Sequence, residues 1–118
     1  MDDEEIIRNL ARELLRELGH EVEVAVHGEE ALVKYQAASN SGRPFDIVIL
    51  DLTVRGGLGG TETLFQLQKF DPSVIAIVSS GYSGDAALAD YGKFGFRACL
   101  KKPYNLDELN NTLHALLT

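Results

Sequence analysis

The sequence predicts an α/β fold in which parallel strands alternate with helices. Two short, continuous apolar runs, Ile47–Leu50 and Val74–Val78, are typical of strands that are covered on both faces of a sheet. Segments with helical spacing of their apolar residues precede and follow these runs. Such alternation implies a parallel sheet with right-handed crossovers. With 118 residues, the chain is long enough for one domain with its own core.

The first half of the chain is predicted to contain two helices and two strands. Residues 3–18 place aliphatic side chains on one face and acidic side chains in the first turn, where the helix dipole favours them. Gly19 is a typical helix end. Val22–Val26 alternates valine with other residues, which indicates a half-exposed edge strand. Gly28–Ala38 is predicted to be the second helix, and a loop leads from it to the strand Ile47–Leu50.

The second half continues the alternation. Thr61–Phe70 is predicted to be a helix that ends at Asp71–Pro72. Beyond the strand Val74–Val78, Asp85–Tyr91 is a short alanine-rich helix, and Phe94–Leu100 is another strand. Asn105 is suited to cap the last helix. The leucines of that helix that are predicted to point inward are Leu106, Leu109, Leu113, Leu116 and Leu117.

Polar residues follow the predicted strands at the points where the strands end. They are Asp51, Ser80 and Lys102. The carboxyl ends of parallel strands meet at one edge of a sheet, where open α/β folds bind their ligands. Asp2 and Asp3, at the head of the first helix, would join this edge if a strand preceded them.

These residue types support a definite chemistry. Three neighbouring carboxylates repel one another, and a hard divalent cation with oxygen ligands, Mg²⁺ above all, relieves the repulsion. An aspartate beside such a cation, a lysine and a hydroxyl group can accept a phosphoryl group. Taken singly, each residue also has an ordinary explanation: Asp2–Asp3 as a helix-start acidic pair, Ser80 as a turn hydroxyl and Lys102 as a solvated side chain.

Charge and composition exclude several classes of function. The formal net charge of −7 argues against a nucleic-acid or anionic-membrane surface, since both require clustered Lys and Arg. Cys99 is the single cysteine of the sequence, which excludes an internal disulfide and a thiolate metal cluster. No apolar run is long enough to span a bilayer, and the acidic start is unlike a signal peptide. We therefore expect a cytoplasmic protein.

The chain resembles the receiver domain of two-component response regulators over essentially all of its residues. The sequence around Gly56–Gly60 and Gly81–Ser83 is most similar to that of receivers attached to hybrid sensor histidine kinases. The resemblance implies a flavodoxin-like, doubly wound parallel sheet. The matching pieces are Asp2–Glu5, Asp46–Asp51, Gly56–Gly60, Ser79–Ser83 and Lys102–Tyr104.

This resemblance implies a phosphoryl-accepting signalling module rather than an enzyme. Its partner would be a histidine kinase or a histidine phosphotransfer domain, its donor a phosphohistidine and its cofactor Mg²⁺, and it would hydrolyse its own phosphoryl group. A cis peptide at Lys102–Pro103 is also implied. The resemblance implies that Asp51 is the phosphoacceptor and also a Mg²⁺ ligand. Asp3 would bind Mg²⁺ directly, Asp2 would bind it through water, and the backbone carbonyl of Thr53 would be a further ligand. Ser80 and Lys102 would contact the phosphoryl group.

Three single positions qualify this picture. Cys99 stands where the family usually carries an aromatic ring that swings inward on activation, so the usual signal to the last strand and helix is in question. Arg55 stands where many relatives have proline; we predict a solvated side chain, with contact to a phosphoryl oxygen as the alternative. Tyr82 follows Ser80 by two positions and is predicted to shield an acyl phosphate from water.

The family's first strand is absent from the sequence, because only Met1 precedes Asp2. We expect residues 1–118 to be an N-terminally truncated receiver whose sheet lacks this central strand. Roughly five buried aliphatic side chains at about 1.5–3 kcal/mol each are large against a net stability of about 5–15 kcal/mol. A partner chain is therefore expected to fill the gap in a symmetric homo-oligomer, with Asp2 and Asp3 displaced from Asp51.

Two other classes of function remain open. A receiver that is not phosphorylated would act as a docking scaffold; Cys99 and the absent strand favour this class, whereas the intact Asp51, Ser80 and Lys102 oppose it. A haloacid-dehalogenase-like phosphatase also uses a strand-end aspartate and Mg²⁺. Its motif requires a second aspartate two residues later, where this chain has Thr53.

Overall fold

The strands form one parallel sheet in the computed structural model, which describes residues 1–81 and 86–117. The described strands lie side by side in chain order, β1-β2-β3, and each is parallel to its neighbour. Asp51 pairs with Ser79 across the first pair, so the carboxyl ends finish level. The strands are Val48–Asp51 (β1), Ala76–Ser80 (β2) and Ala98–Lys101 (β3).

Helices connect the strands, and the predicted end signals explain their limits. Gly19, with a φ of 90°, follows the end of the first helix. The side chain of Asn105 accepts a hydrogen bond from the Glu108 N–H at 2.9 Å and caps the last helix as predicted. No helix in the described part of the chain has the length and apolarity needed to cross a membrane. The helices are Glu5–Glu17 (α1), Gly28–Asn40 (α2), Gly60–Phe70 (α3), Ala86–Ala89 (α4), a 3₁₀ turn at Tyr91–Phe94, and Leu106–Leu117 (α5).

Both faces of the sheet carry a core, which confirms the doubly wound α/β class. Strand side chains alternate between the faces, so Leu50 and Val78 enter one core while Ile77 and Leu100 enter the other. The first core consists of Tyr35, Leu50, Leu64, Leu67, Val74, Ala76, Val78 and Phe96. The second consists of Ile77, Leu100, Tyr104, Leu109 and Leu113, with the apolar side of α1 packed against it.

The predicted strand at Val22–Val26 is wrong. Among the described residues, this stretch makes one hydrogen bond from backbone to backbone. The Asp2 N–H donates it to the Ala25 carbonyl at 3.0 Å. A strand needs a continuous neighbour to form a ladder. Here only Met1 and Asp2 lie between the stretch and β1, so extended backbone does not become sheet.

A cavity of about 710 Å³ lies along this stretch and is lined by Ile47 and Ile49 on its other side. Ala11 and Leu15 of α1 also line it, and no residue of that helix is fully buried. The predicted inward face of α1 is therefore only partly covered. Leu117, which was also predicted to point inward, lines the same cavity and is 48% exposed.

The predicted strand Phe94–Leu100 begins later than expected. Its first residue closes the 3₁₀ turn, and Gly95 then takes a φ of 96°, which interrupts extended backbone before β3. The short helix predicted at Asp85–Tyr91 is likewise divided between α4 and the 3₁₀ turn, and its predicted start at Asp85 lies outside the described residues.

Candidate functional site

The structure brings the predicted site residues to one edge of the sheet. Asp51 is the last residue of β1, Ser80 is the last residue of β2, and Lys102 directly follows β3. Asp51 and Ser80 are 5% and 2% exposed. Asp2 and Asp3 reach the same edge from the start of the chain, where Asp2 is also buried. The peptide bond between Lys102 and its proline is cis, as the resemblance implied.

Backbone hydrogen bonds hold Met1 and Asp2 against β1. The Met1 ammonium donates to the Ile49 carbonyl at 2.7 Å, and the Asp51 N–H donates to the Met1 carbonyl at 3.0 Å. One carboxylate oxygen each from Asp2, Asp3 and Asp51 consequently lies within 4.8 Å of the others. The expected displacement of Asp2 and Asp3 is therefore wrong, because the two hydrogen bonds between Met1 and β1 are enough to place them.

Lys102 bridges two of these carboxylates. Its Nζ lies 2.6 Å from Asp2 Oδ2 and 3.1 Å from Asp51 Oδ1. The three side chains are only 11%, 9% and 7% exposed, so their charges interact more strongly than they would in bulk water. Burial lowers the pKa of Lys102, but its hydrogen bonds to Asp2 and Asp51 outweigh burial, and the net effect raises that pKa. The ammonium therefore stays charged at neutral pH.

The charged form of Asp51 is costly in this arrangement. Burial raises the pKa of Asp51 to about 6; Lys102 opposes this rise, and the negative charges of Asp2 and Asp3 add to it. Burial also lowers the pKa of the nearby Met1 ammonium to about 6, so at neutral pH Lys102 supplies most of the positive charge, which is too little for three carboxylates. An additional cation would lower the free energy of the ionised site.

The donor set suits Mg²⁺. The converging groups are carboxylate oxygens, which a hard divalent cation prefers, and Mg²⁺ commonly retains several waters beside such ligands. A cavity of about 620 Å³ opens onto Asp3 and Asp51, and Thr53, Ser80 and Lys102 also line it. The site thus has room for a hydrated cation and a phosphoryl group. Asp2 lines the 710 Å³ cavity and contacts Lys102, which lines this one.

Two contacts that no sequence pattern had indicated hold the loop after β1. The backbone N–H of Arg55 donates to Asp3 Oδ2 at 3.1 Å, while the Arg55 side chain is exposed, as expected for a solvated arginine. Glu29 Oε1 accepts a hydrogen bond from the Leu58 N–H at 2.7 Å. The sequence feature that could have indicated these contacts is the glycine-rich composition of the loop. A Cβ on Gly57 would lie 2.7 Å from the His27 Cβ, so the loop backbone packs directly on the start of α2.

Two other predicted positions have different outcomes. Cys99 was expected to be a buried strand residue; it lies in β3 as expected, but it is only partly buried and packs at the margin of the first core. Tyr82 lies outside the described residues, and its shielding role stays a prediction.

Comparison with known proteins assigns the family. The sequence-family model described as the response regulator receiver domain matches residues 1–114. The chain therefore belongs to the response regulator receiver domain family, whose members are signalling modules of two-component systems. This confirms the family expected from the sequence.

Relatives of several kinds share this domain. A response regulator receiver protein of Anaeromyxobacter is 35% identical over 102 residues, covering 86% of this chain and 40% of the relative. The sensor kinase CckA of Brucella abortus is 32% identical over 120 residues, covering 99% of this chain and 12% of the relative. The chain thus spans well under half the length of these curated relatives.

A solved structure supports the fold directly. The response regulator TrrA from Thermotoga maritima, crystallised in complex with Mg²⁺-BeF, has a TM-score of 0.82 and is 32% identical. The match covers 98% of this chain and 93% of the relative. The flavodoxin-like architecture expected from the resemblance is confirmed.

Proposed function

We propose that this chain is a phosphoryl-accepting signalling module that is phosphorylated on Asp51. The observation that carries the proposal is the buried cluster at the sheet edge, in which Lys102 bridges Asp2 and Asp51 while Asp3 completes the set of carboxylates. A structural ion pair would need one carboxylate. Three carboxylates around one ammonium leave negative charge that is suited to a divalent cation and then to a phosphoryl group.

In the proposed reaction a phosphohistidine of a histidine kinase or a histidine phosphotransfer domain is the donor. A carboxylate oxygen of Asp51 attacks phosphorus in line, the P–N bond breaks, and the released imidazole takes up a proton. Lys102 pairs with one phosphoryl oxygen, and the Ser80 hydroxyl donates to another. A bound Mg²⁺ would neutralise charge on the transferring group.

We assign the Mg²⁺ ligands as Asp3 and Asp51 directly, Asp2 through water, and the backbone carbonyl of Thr53. The close approach of the three aspartates and the position of Thr53 on the same cavity support this assignment. The Mg²⁺-BeF complex of TrrA also supports it, since that relative shares the fold at 32% identity. The similarity to the sensor kinase CckA is compatible with a receiver attached to a hybrid kinase, and we propose that origin for this domain.

Intact mass spectrometry tests the assignment. The chain is incubated with Mg²⁺ and a small phosphodonor such as acetyl phosphate, and an added phosphoryl mass is expected. Asp51→Asn should show no adduct, because an amide oxygen is a poor nucleophile, whereas Asp90→Asn at an exposed position should be phosphorylated normally. A full adduct on Asp51→Asn would refute the assignment. Turnover of the donor without an adduct would favour the phosphatase, and no reaction at all would favour the docking scaffold.

We also propose that a second copy of the chain closes the 710 Å³ cavity. The half-covered face of α1 and the apolar residues Ile47 and Ile49 that line the cavity support this. Size-exclusion chromatography with light scattering should report a mass of at least two chains of 12.9 kDa. A stable, cooperative monomer over the whole concentration range would contradict it.

A further inference from the structure

The loop that joins β1 to α3 is held at several points. In its middle, the Arg55 N–H donates to Asp3 Oδ2 at 3.1 Å. Near its end, the Leu58 N–H donates to Glu29 Oε1 at 2.7 Å, and the Leu58 carbonyl accepts from the Gly28 N–H at 3.0 Å. We call this second, reciprocal pair of bonds the Leu58 clasp. It fixes the loop to the first turn of α2.

The clasp depends on close contact between backbones. A Cβ on Gly57 would lie 2.7 Å from the His27 Cβ and 3.0 Å from Glu29 Oε1. A Cβ on Gly28 would lie 2.7 Å from the Leu58 Cβ. The loop therefore rests directly on the helix start, and the Leu58 N–H is the leading reason that the pKa of Glu29 is lowered. Glu29 is thus a charged acceptor at neutral pH.

The placement of the clasp connects it to the site. Thr53 and Arg55 lie on the stretch of loop between β1 and Leu58, and both line the cavity that opens onto Asp51. The near end of this stretch is held at Leu52, whose N–H donates to the Ser79 carbonyl at 2.9 Å and whose carbonyl accepts from the Gly60 N–H at 3.2 Å. With Leu58 also held, both ends of the stretch have defined positions, and a backbone carbonyl on it can serve as a preorganised ligand.

We propose that Glu29 is a positioning residue for the Mg²⁺ site, acting through the Leu58 N–H on the loop that carries Thr53. The inference rests on the proposed function, since it needs the site to bind Mg²⁺. Glu29 itself touches neither the three aspartates nor Lys102 among the described contacts. Its effect is therefore expected in metal affinity rather than in the chemistry at Asp51.

Two substitutions separate the hydrogen bond from the charge. Glu29→Ala removes both, whereas Glu29→Gln removes the charge and keeps a carbonyl oxygen that can accept from Leu58. Glu62→Ala is the matched control, because Glu62 is an exposed carboxylate in the first turn of α3 at the end of the same loop. Any long-range effect of losing one negative charge appears in Glu29→Gln and in the control as well.

The test has two readouts, amide exchange of Leu58 by NMR in the metal-free chain and Mg²⁺ affinity by calorimetry. Glu29→Ala should speed exchange at Leu58 and weaken Mg²⁺ binding about three- to tenfold, the factor that corresponds to one net hydrogen bond. Glu29→Gln and Glu62→Ala should remain within about twofold of the wild type, since they keep that hydrogen bond. Unchanged exchange in β2 shows that each variant is folded.

Two results would overturn the inference. If Glu29→Gln loses as much affinity as Glu29→Ala, the charge and not the clasp is responsible. If Glu29→Ala frees the Leu58 amide but leaves Mg²⁺ affinity unchanged, the clasp does not position the site. A wild-type chain that binds no Mg²⁺ would instead refute the proposed function itself, so the two failures are distinguishable.

Discussion

Replacing Asp51 by asparagine should stabilise the metal-free fold while removing its proposed phosphoacceptor. Asp51 is 5% exposed and shares its surroundings with two other carboxylates and one ammonium. Asparagine has nearly the same shape, and its amide oxygen can still accept a hydrogen bond from Lys102. The substitution therefore removes mainly the charge that burial penalises.

The magnitude follows from the pKa of Asp51, which burial raises from 3.8 to about 6. A shift of this size corresponds to about 3 kcal/mol in favour of the neutral form. The carboxylate borders an open cavity, so solvent screening reduces the effect, and about 1–2 kcal/mol at pH 7 is the expected gain. For a domain of this size, that is a rise in Tm of roughly 4–8 °C.

The sign of the pH dependence is also defined. Because the folded-state pKa of Asp51 lies above its unfolded value, the folded chain binds the proton more tightly, and this contribution to stability is lost as pH rises through about 6. The advantage of Asp51→Asn should thus be full above pH 7 and shrink as pH falls toward 4. The Met1 ammonium, whose pKa burial lowers to about 6, loses the attraction of the Asp51 charge in the mutant, so its titration shrinks the advantage in the same direction as pH falls.

Thermal and urea unfolding in the presence of a chelator, from about pH 4.5 to 7.5, measures the difference. Asp90→Asn, at an exposed position, should show no comparable gain. Added Mg²⁺ should stabilise the wild type more than Asp51→Asn, because a ligand stabilises only the state that binds it. A mutant that is less stable than the wild type at pH 7, or a difference that does not vary with pH, would refute the electrostatic reasoning.

Three further predictions concern other parts of the domain. Lys102→Ala should retain Mg²⁺ binding in calorimetry, because the carboxylate oxygens still converge. It should also reduce the change in amide exchange that phosphorylation causes. Loss of metal binding would mean that the role of the lysine is misassigned. Tyr82→Ala should shorten the lifetime of the phosphorylated chain in a time course of intact mass, and an unchanged lifetime would remove the ring from the mechanism. Leu64→Ala should cost about 2–5 kcal/mol in urea unfolding, because Leu64 is 0% exposed, whereas Phe65→Ala on the same helix, at 57% exposure, should cost under about 1 kcal/mol.

Local pattern was sufficient for the elements that carry their own signals. The continuous apolar runs predicted β1 and β2 because a buried parallel strand must be apolar on both faces. Asn105 predicted the start of α5 because a cap is a contact within one turn. The same pattern failed at Val22–Val26, because a strand is defined by its neighbours and alternation of side chains cannot supply them.

The sequence alone placed Asp51, Ser80 and Lys102 at the carboxyl ends of predicted parallel strands, and therefore at one edge of the sheet. Tertiary structure decided the rest. Whether Asp2 would reach the site depended on hydrogen bonds between Met1 and β1, and the role of Glu29 depended on a loop that approaches it from 29 residues away. Each of these contacts joins distant parts of the chain through a backbone group. Because every residue carries backbone groups, no pattern of side chains predicts such contacts.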